Sequence, residues 1–399
     1  NAFAATRKHK RVRQTGASTT STAKKTAVRR TSTRTRRATA KRRVVADDTT
    51  RGVIHTRTKY TRRRRHVIVN PWTEPTFADS TIGDSQQGED PVVRKAAVDA
   101  LGQHNGSVVV VDAQTGRILT MVNQKLGLTG AYQPCSTIKV VISLASLSEG
   151  IVDSETPLRL TKRYSMTMTQ ALAHSNNLYF SKLGQELGFD RVVHYAKLFG
   201  LGEKAGYDIP GEQPGTVVDE VPTSGVGMMT SFGDGIRLTP LELASIVSTV
   251  ANGGTMYYLQ YPRSKEEIEN FTPKIKRHLD IAKLVPEVKP GMMAAVEYGT
   301  ARRANFDPDE PLLGKTGTCT DTTNPGVHLG WFGSFNEVGK NKIVVVVLLT
   351  GGRGVSGPIA SGVAGAVYKN LASENYFAQL PPLALPSPLS LVSMQNCCR

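Results

Sequence analysis

The chain has 399 residues and a formal net charge of +17. Positions 1–66 carry 22 Lys and Arg against two acids, Asp47 and Asp48, which leaves 28 basic and 31 acidic residues to the other 333. A basic stretch ahead of a mildly acidic body excludes a compact nucleic-acid-binding domain, which would spread Lys and Arg over a folded face.

Positions 1–66 are almost wholly Arg, Lys, Thr, Ser and Ala without apolar periodicity, so disorder is expected there. The plain reading is a solvated spacer. Attraction to an anionic membrane or cell-wall surface comes next, at up to about 1 kcal/mol per basic residue. Nucleic acid is an unlikely partner, because scarcely any aromatic residue is interleaved to stack on bases. The chain starts at Asn1, and Ala2-Phe3-Ala4 has the small-x-small pattern of a signal-peptide cleavage site, so an export segment or membrane anchor upstream is one expectation. No apolar run reaches the 18 or so residues that span a bilayer.

Positions 67–91 read as a linker, since Asn70-Pro71-Trp72-Thr73-Glu74-Pro75 is too proline-interrupted for a helix. The folded domain is expected over 92–373. It opens with a helix over 92–101 and a hairpin of β-rich runs, 106–112 and 117–122, around Ala113-Gln114-Thr115-Gly116. A helix over 136–148 carries Ile138, Val141, Ile142 and Ala145 at helical spacing; helical patterns continue over 171–187, 191–199 and 241–251. Strand character returns at 312–318, 329–335 and 342–350, before a last helix over 359–371 and a Pro- and Leu-rich tail, 374–399. Strands at both ends with helices between them imply an α+β fold whose single sheet joins distant segments.

Three short motifs stand out: Ser136-Thr137-Ile138-Lys139, Ser175-Asn176-Asn177 and Lys315-Thr316-Gly317-Thr318. Each alone is weak; Ser21-Thr22-Ala23-Lys24 repeats the first pattern and Ser334-Phe335-Asn336 the second. Order and placement carry the signal, because the first opens a helix, the second follows 39 residues on, and the third begins a strand 140 residues later. A serine hydroxyl needs a base to become a nucleophile, and Lys139 lies on the same helical face as Ser136. A lysine serves as base only if its ammonium form is destabilised, by burial or by a second cation such as Lys315.

In this order the motifs resemble those of the penicillin-recognising serine acyltransferases, which include penicillin-binding proteins and serine β-lactamases. The resemblance covers about 92–371. It extends to Gly233-Asp234-Gly235-Ile236-Arg237-Leu238-Thr239-Pro240-Leu241, Ala251-Asn252-Gly253-Gly254 and Val296-Glu297-Tyr298-Gly299-Thr300-Ala301, which look like segments of penicillin-binding protein transpeptidase domains. It implies a β-lactamase/transpeptidase-like fold, an antiparallel sheet packed against a helical subdomain, and a penicillin-sensitive D,D-transpeptidase acting on peptidoglycan stem peptides in the bacterial cell envelope, periplasmic or extracytoplasmic.

The roles it implies are Ser136 as nucleophile, Lys139 as base and Ser175 as proton relay. Asn177 would bind the substrate amide, Lys315, Thr316, Gly317 and Thr318 would form the strand that fixes the substrate carboxylate, and the N–H groups of Ser136 and Thr318 would be the oxyanion hole. A D,D-carboxypeptidase, a β-lactamase-type hydrolase and a non-catalytic penicillin-binding sensor are the alternatives. The absence of a Glu-x-x-Leu-Asn loop pattern, and Asn177 where another β-lactamase class has Val, weigh against a β-lactamase. No cofactor and no metal are expected, for want of a ligand spacing. His174 and His328 border the motifs without a role. Cys135 and Cys319 adjoin Ser136 and Thr318 and are read as structural thiols; a disulfide between them is the alternative their adjacency raises.

Overall fold

In the computed structural model, residues 71–378 are described, apart from 306, 308, 338 and 340. The basic stretch 1–66 and positions 379–399 lie outside the described residues. Five strands form one antiparallel sheet: β1 (Gly106–Asp112), β2 (Ile118–Val122), β3 (Leu312–Thr320), β4 (His328–Asn336) and β5 (Ile343–Gly351), in the order β2-β1-β5-β4-β3. The register sets Val109 opposite Val346 and Lys315 opposite Gly333. The two ends of the domain therefore meet inside the sheet.

The valine-rich runs follow from burial on both faces. Val109, Val111, Val344, Val346 and Leu348 face the interior helices. Val108, Val110, Val345, Val347 and Leu349 alternate with them and pack under the first and last helices, Pro91–Leu101 and Gly357–Ser373. Each such side chain, removed from water, contributes roughly 1.5–3 kcal/mol.

On the interior face, Pro240–Ala251 is buried along its whole length and starts at a capping box between Thr239 and Glu242. The expected helix over 136–148 is a 3₁₀ turn, Cys135–Ile138, running into an α-helix, Lys139–Ser148, nine of whose ten residues are buried. The helical pattern over 171–187 is two helices, Met168–Ala173 and Asn177–Leu187. Asn176 makes the break by accepting the Tyr179 N–H at 2.9 Å, an N-cap that starts the second helix afresh. That helix approaches Val226–Phe232 closely: a Cβ on Gly184 would lie 2.1 Å from Thr230 Oγ1.

Residues 71–90, read from sequence as linker, lie against the body. Thr73 N–H donates to Gly326 O at 2.8 Å, and Asp90 caps the first helix by accepting from Val92 and Val93. Asp84 and Glu89, whose side chains are shielded from solvent, pair with Arg94 at 2.8 and 3.4 Å. The same carboxylates accept the N–H groups of Asn123 and Met121, while Arg94 donates to Met121 O. The outer border of β2 is thereby satisfied in part by side chains; the Ile118 N–H donates to Gln260 O (2.8 Å) and Leu119 O accepts the Asp90 N–H (2.9 Å).

Candidate active site

The turn Cys135–Ile138, which carries Ser136, is shaped by its backbone. Cys135 has φ +52°, and Thr137 closes the turn on Pro134 O with both its N–H (3.2 Å) and its hydroxyl (2.7 Å). The tight turn then aims Ser136 and Lys139 the same way, leaving Lys139 Nζ 3.0 Å from Ser136 Oγ. The apolar residues of Lys139–Ser148 carry the lysine into the core, where it is 0% exposed.

Around Lys139 Nζ stand Ser175 O at 2.8 Å, Ser175 Oγ at 3.1 Å and Asn177 Oδ1 at 2.6 Å, with the Phe180 ring 5.3 Å away. Burial first, and the Lys315 charge second, bring its pKa down to about 6. Lys315 is itself buried, which brings it down to about 7; its Nζ lies 2.8 Å from Ser175 Oγ and 2.9 Å from Thr316 O. Burial thus favours the uncharged amine at both positions, and the Lys315 charge adds to that at Lys139. The Ser175 hydroxyl bridges the two nitrogens. Its backbone is held at φ +54°, a conformation that costs a non-glycine residue about 1–2 kcal/mol.

Lys315, Thr316, Gly317 and Thr318 form the middle of β3, an edge strand of the sheet. Gly317 is required by closeness: a Cβ there would sit 2.8 Å from Pro134 O. Thr318 is exposed, and its hydroxyl accepts the Gly357 N–H at 2.7 Å. The structure thus brings Ser136, Lys139, Ser175, Asn177 and Lys315 into one hydrogen-bonded cluster beside Thr316, Gly317 and Thr318. His174 packs on the Tyr298 ring, and His328 lies 3.1 Å from Thr320 Oγ1 at the strand end.

The cysteine reading needs correction. Cys135 and Cys319 are not thiols: they form a disulfide, with Cα atoms 5.7 Å apart, because the approach of β3 to the turn that carries Ser136 brings residues 184 positions apart into bonding range.

Three further contributors were not singled out in the sequence. Thr300 Oγ1 lies 2.6 Å from Thr316 Oγ1. Ser231 O faces Ser136 Oγ at 3.4 Å. Gln133, buried, donates from Nε2 to Phe232 O (3.0 Å), while its Oε1 accepts the Thr322 N–H (3.2 Å) and its carbonyl the Trp331 indole N–H (2.9 Å). Gln133 and Ser231 had no spacing signal; Thr300 lay within a segment noted only for its resemblance. Among the described residues, no group of three or more His, Cys, Asp or Glu could hold a metal ion.

The model of the penicillin binding protein transpeptidase domain matches residues 106–373. The chain belongs to this family. Among its relatives, Stage V sporulation protein D of Bacillus subtilis is 27% identical over 289 residues, covering 64% of this chain and 44% of the relative. Peptidoglycan D,D-transpeptidase PbpA of Mycobacterium tuberculosis is 25% identical over 342 residues, 69% of each chain. The chain spans less than half the length of several curated relatives it matches. The fold is also that of M. tuberculosis penicillin-binding protein A, solved as a ceftriaxone acyl-enzyme, at a TM-score of 0.60 and 22% identity over 71% of this chain and 79% of that one. As a penicillin-binding protein transpeptidase domain, the chain places its three motifs at the seam of sheet and helices. Among the described residues, no helix is long and apolar enough to cross a membrane.

Proposed function

We propose that the domain, over about 92–373, is a penicillin-sensitive serine D,D-transpeptidase that cross-links peptidoglycan stem peptides in the cell envelope. The observation that supports this best is the pair of buried lysines sharing the Ser175 hydroxyl, one of them 3.0 Å from Ser136 Oγ.

In this reading Lys139, as the amine, takes the Ser136 proton while Oγ attacks the carbonyl carbon of the penultimate D-alanine. General-base help of this kind is worth typically about 10²- to 10⁴-fold. The N–H groups of Ser136 and Thr318 hold the oxyanion, at about 10²-fold or more for each donor. Ser175 passes the proton to the departing nitrogen as the C–N bond breaks, leaving an ester on Ser136. An amine from a second stem peptide then attacks that ester. Asn177 keeps its Oδ1 on Lys139 and offers its amide to the substrate, and Lys315, with Thr316 and Thr318, holds the substrate carboxylate. The basic stretch 1–66 is assigned an anionic membrane or cell-wall surface as partner.

The test is labelling with fluorescent penicillin, followed for hours. Wild-type protein should form a persistent adduct and Ser136→Ala none. Labelling that survives the substitution would show that another nucleophile acts. Rapid loss of label would favour a β-lactamase. Persistent label without amide formation from a D-Ala-D-Ala peptide and an amine acceptor would favour a sensor, and release of D-Ala to water alone a carboxypeptidase.

A further inference from the structure

Six described non-glycine residues have positive φ, and four of them are Asn or Asp, the types that tolerate it. The other two are Ser175 and Cys135. Cys135 therefore holds a conformation suited to glycine, directly before Ser136, and its side chain is spent on a bond to Cys319, directly after Thr318. One face of β3 meets the site at three points two residues apart, the last two of them on the turn that carries Ser136. Lys315 reaches Ser175, Gly317 lies against Pro134 O, and Cys319 is bonded to Cys135. Period-two spacing puts all three on one side of the strand. Gly317 permits the approach; the disulfide fixes it.

We propose that the Cys135–Cys319 disulfide is a positioning clamp for acyl transfer, holding the backbone N–H groups of Ser136 and Thr318 at the separation that one oxyanion requires. This rests on the transpeptidase reading. Cys135 shares a peptide unit with the Ser136 N–H and Cys319 lies one residue beyond the Thr318 N–H, so the bond ties together two segments that are otherwise joined only through non-covalent contacts. Displacing a donor by about 1 Å costs on the order of 10²-fold in rate, and losing one altogether costs about 10²- to 10³-fold. Ground-state binding depends much less on that distance. The clamp therefore acts on the acylation step rather than on affinity.

The experiment measures fluorescent-penicillin acylation at 25 °C, resolving the limiting rate from the half-saturation concentration. It compares oxidised protein with protein treated with a phosphine, which supplies two electrons and takes its oxygen from water as the disulfide becomes two thiols. Reduction should lower the limiting rate roughly tenfold or more, change half-saturation less than about threefold, and be reversed by reoxidation. The double variant Cys135→Gly/Cys319→Ala, in which glycine accepts the left-handed backbone, should be equally slow and indifferent to reductant. A fall in limiting rate below about fivefold in folded reduced protein, or an effect confined to half-saturation, overturns the clamp. So does unfolding of both the reduced protein and the double variant, since the bond would then hold the fold rather than the site. If oxidised wild-type protein takes no label at Ser136, the transpeptidase reading fails first.

Discussion

Substituting Lys139→Met isolates what the buried amine costs the fold. Burial and the neighbouring cation lower Lys139 from 10.5 to about 6. At about 1.36 kcal/mol per unit, that is on the order of 6 kcal/mol between the two protonation states. The sign follows from proton counting: between about 6 and 10.5 the unfolded chain holds a proton that the folded protein has released, so stability rises with pH, by about 1.4 kcal/mol per unit for this lysine. Below about 6 both states are protonated and the slope vanishes. Methionine removes the titration but also leaves Ser175 O and Asn177 Oδ1 without their donor. Those losses shift the level of the stability curve, not its slope. Urea unfolding at pH 7.5 and 9.0 should therefore show wild type gaining about 2 kcal/mol on the variant across the interval. Lys315, also depressed, keeps its contribution in both proteins and cancels, as do all other groups. Parallel curves, differing by a constant, would refute a depressed Lys139 and with it the base assigned to Ser136.

The free enzyme's acylation efficiency should be bell-shaped in pH. It should fall about tenfold per unit below about 6, where Lys139 protonates, and decline above about 7, where Lys315 loses its charge. The alkaline limb should fade at saturating ligand, because a bound carboxylate keeps Lys315 protonated; a limb unchanged by saturation would point elsewhere. Glu242 offers a structural counterpart: its buried carboxyl, pushed up to about 7 by burial, accepts N–H groups from Gly202 (2.9 Å), Gly215 (3.1 Å) and Thr239 (2.6 Å). Glu242→Gln would set an NH₂ against these donors and should cost about 1–3 kcal/mol in urea unfolding at pH 7.5. Relative to the variant, wild-type stability should also fall as pH rises from 4.5 to about 7, where at Glu242 only the unfolded state releases the proton.

Much of the fold is legible because its signals are local. The run Ile343–Gly351 is strand-like whatever surrounds it, and Thr239-Pro240 announces a helix start. The helix Val285–Glu297 is missing from the helical patterns read in the sequence, and it contains two residues that ordinarily disfavour a helix, Pro286 and Pro290. In fact Pro286 sits in the first turn, where its missing N–H has no intrahelical partner to lose. Residues 71–90 looked like linker because their prolines are visible in sequence, whereas the partners of Asp84 and Glu89 lie elsewhere in the chain. At the site, the residues with motif spacing were identifiable. The partners of Gln133 lie 99, 189 and 198 positions away, distances that no spacing rule connects. The disulfide shows the same limit: adjacency to two motifs raised the pairing, but only the approach of β3 decides it.

The two borders of the sheet are treated differently. That of β2 is bonded to the side chains of Asp84, Glu89 and Arg94 and to the backbone of Asp90 and Gln260, while β3 carries no strand on its other side among the described residues. An unpaired border recruits extended chains, and a sheet with two can be extended in both directions into fibres. With the β2 border occupied, only the β3 border is open to a guest strand. An extended peptide that pairs with Lys315–Thr318 but offers no cleavable bond should thus act as a saturable, one-to-one competitor of labelling, and N-methylation of its pairing amides should abolish the competition.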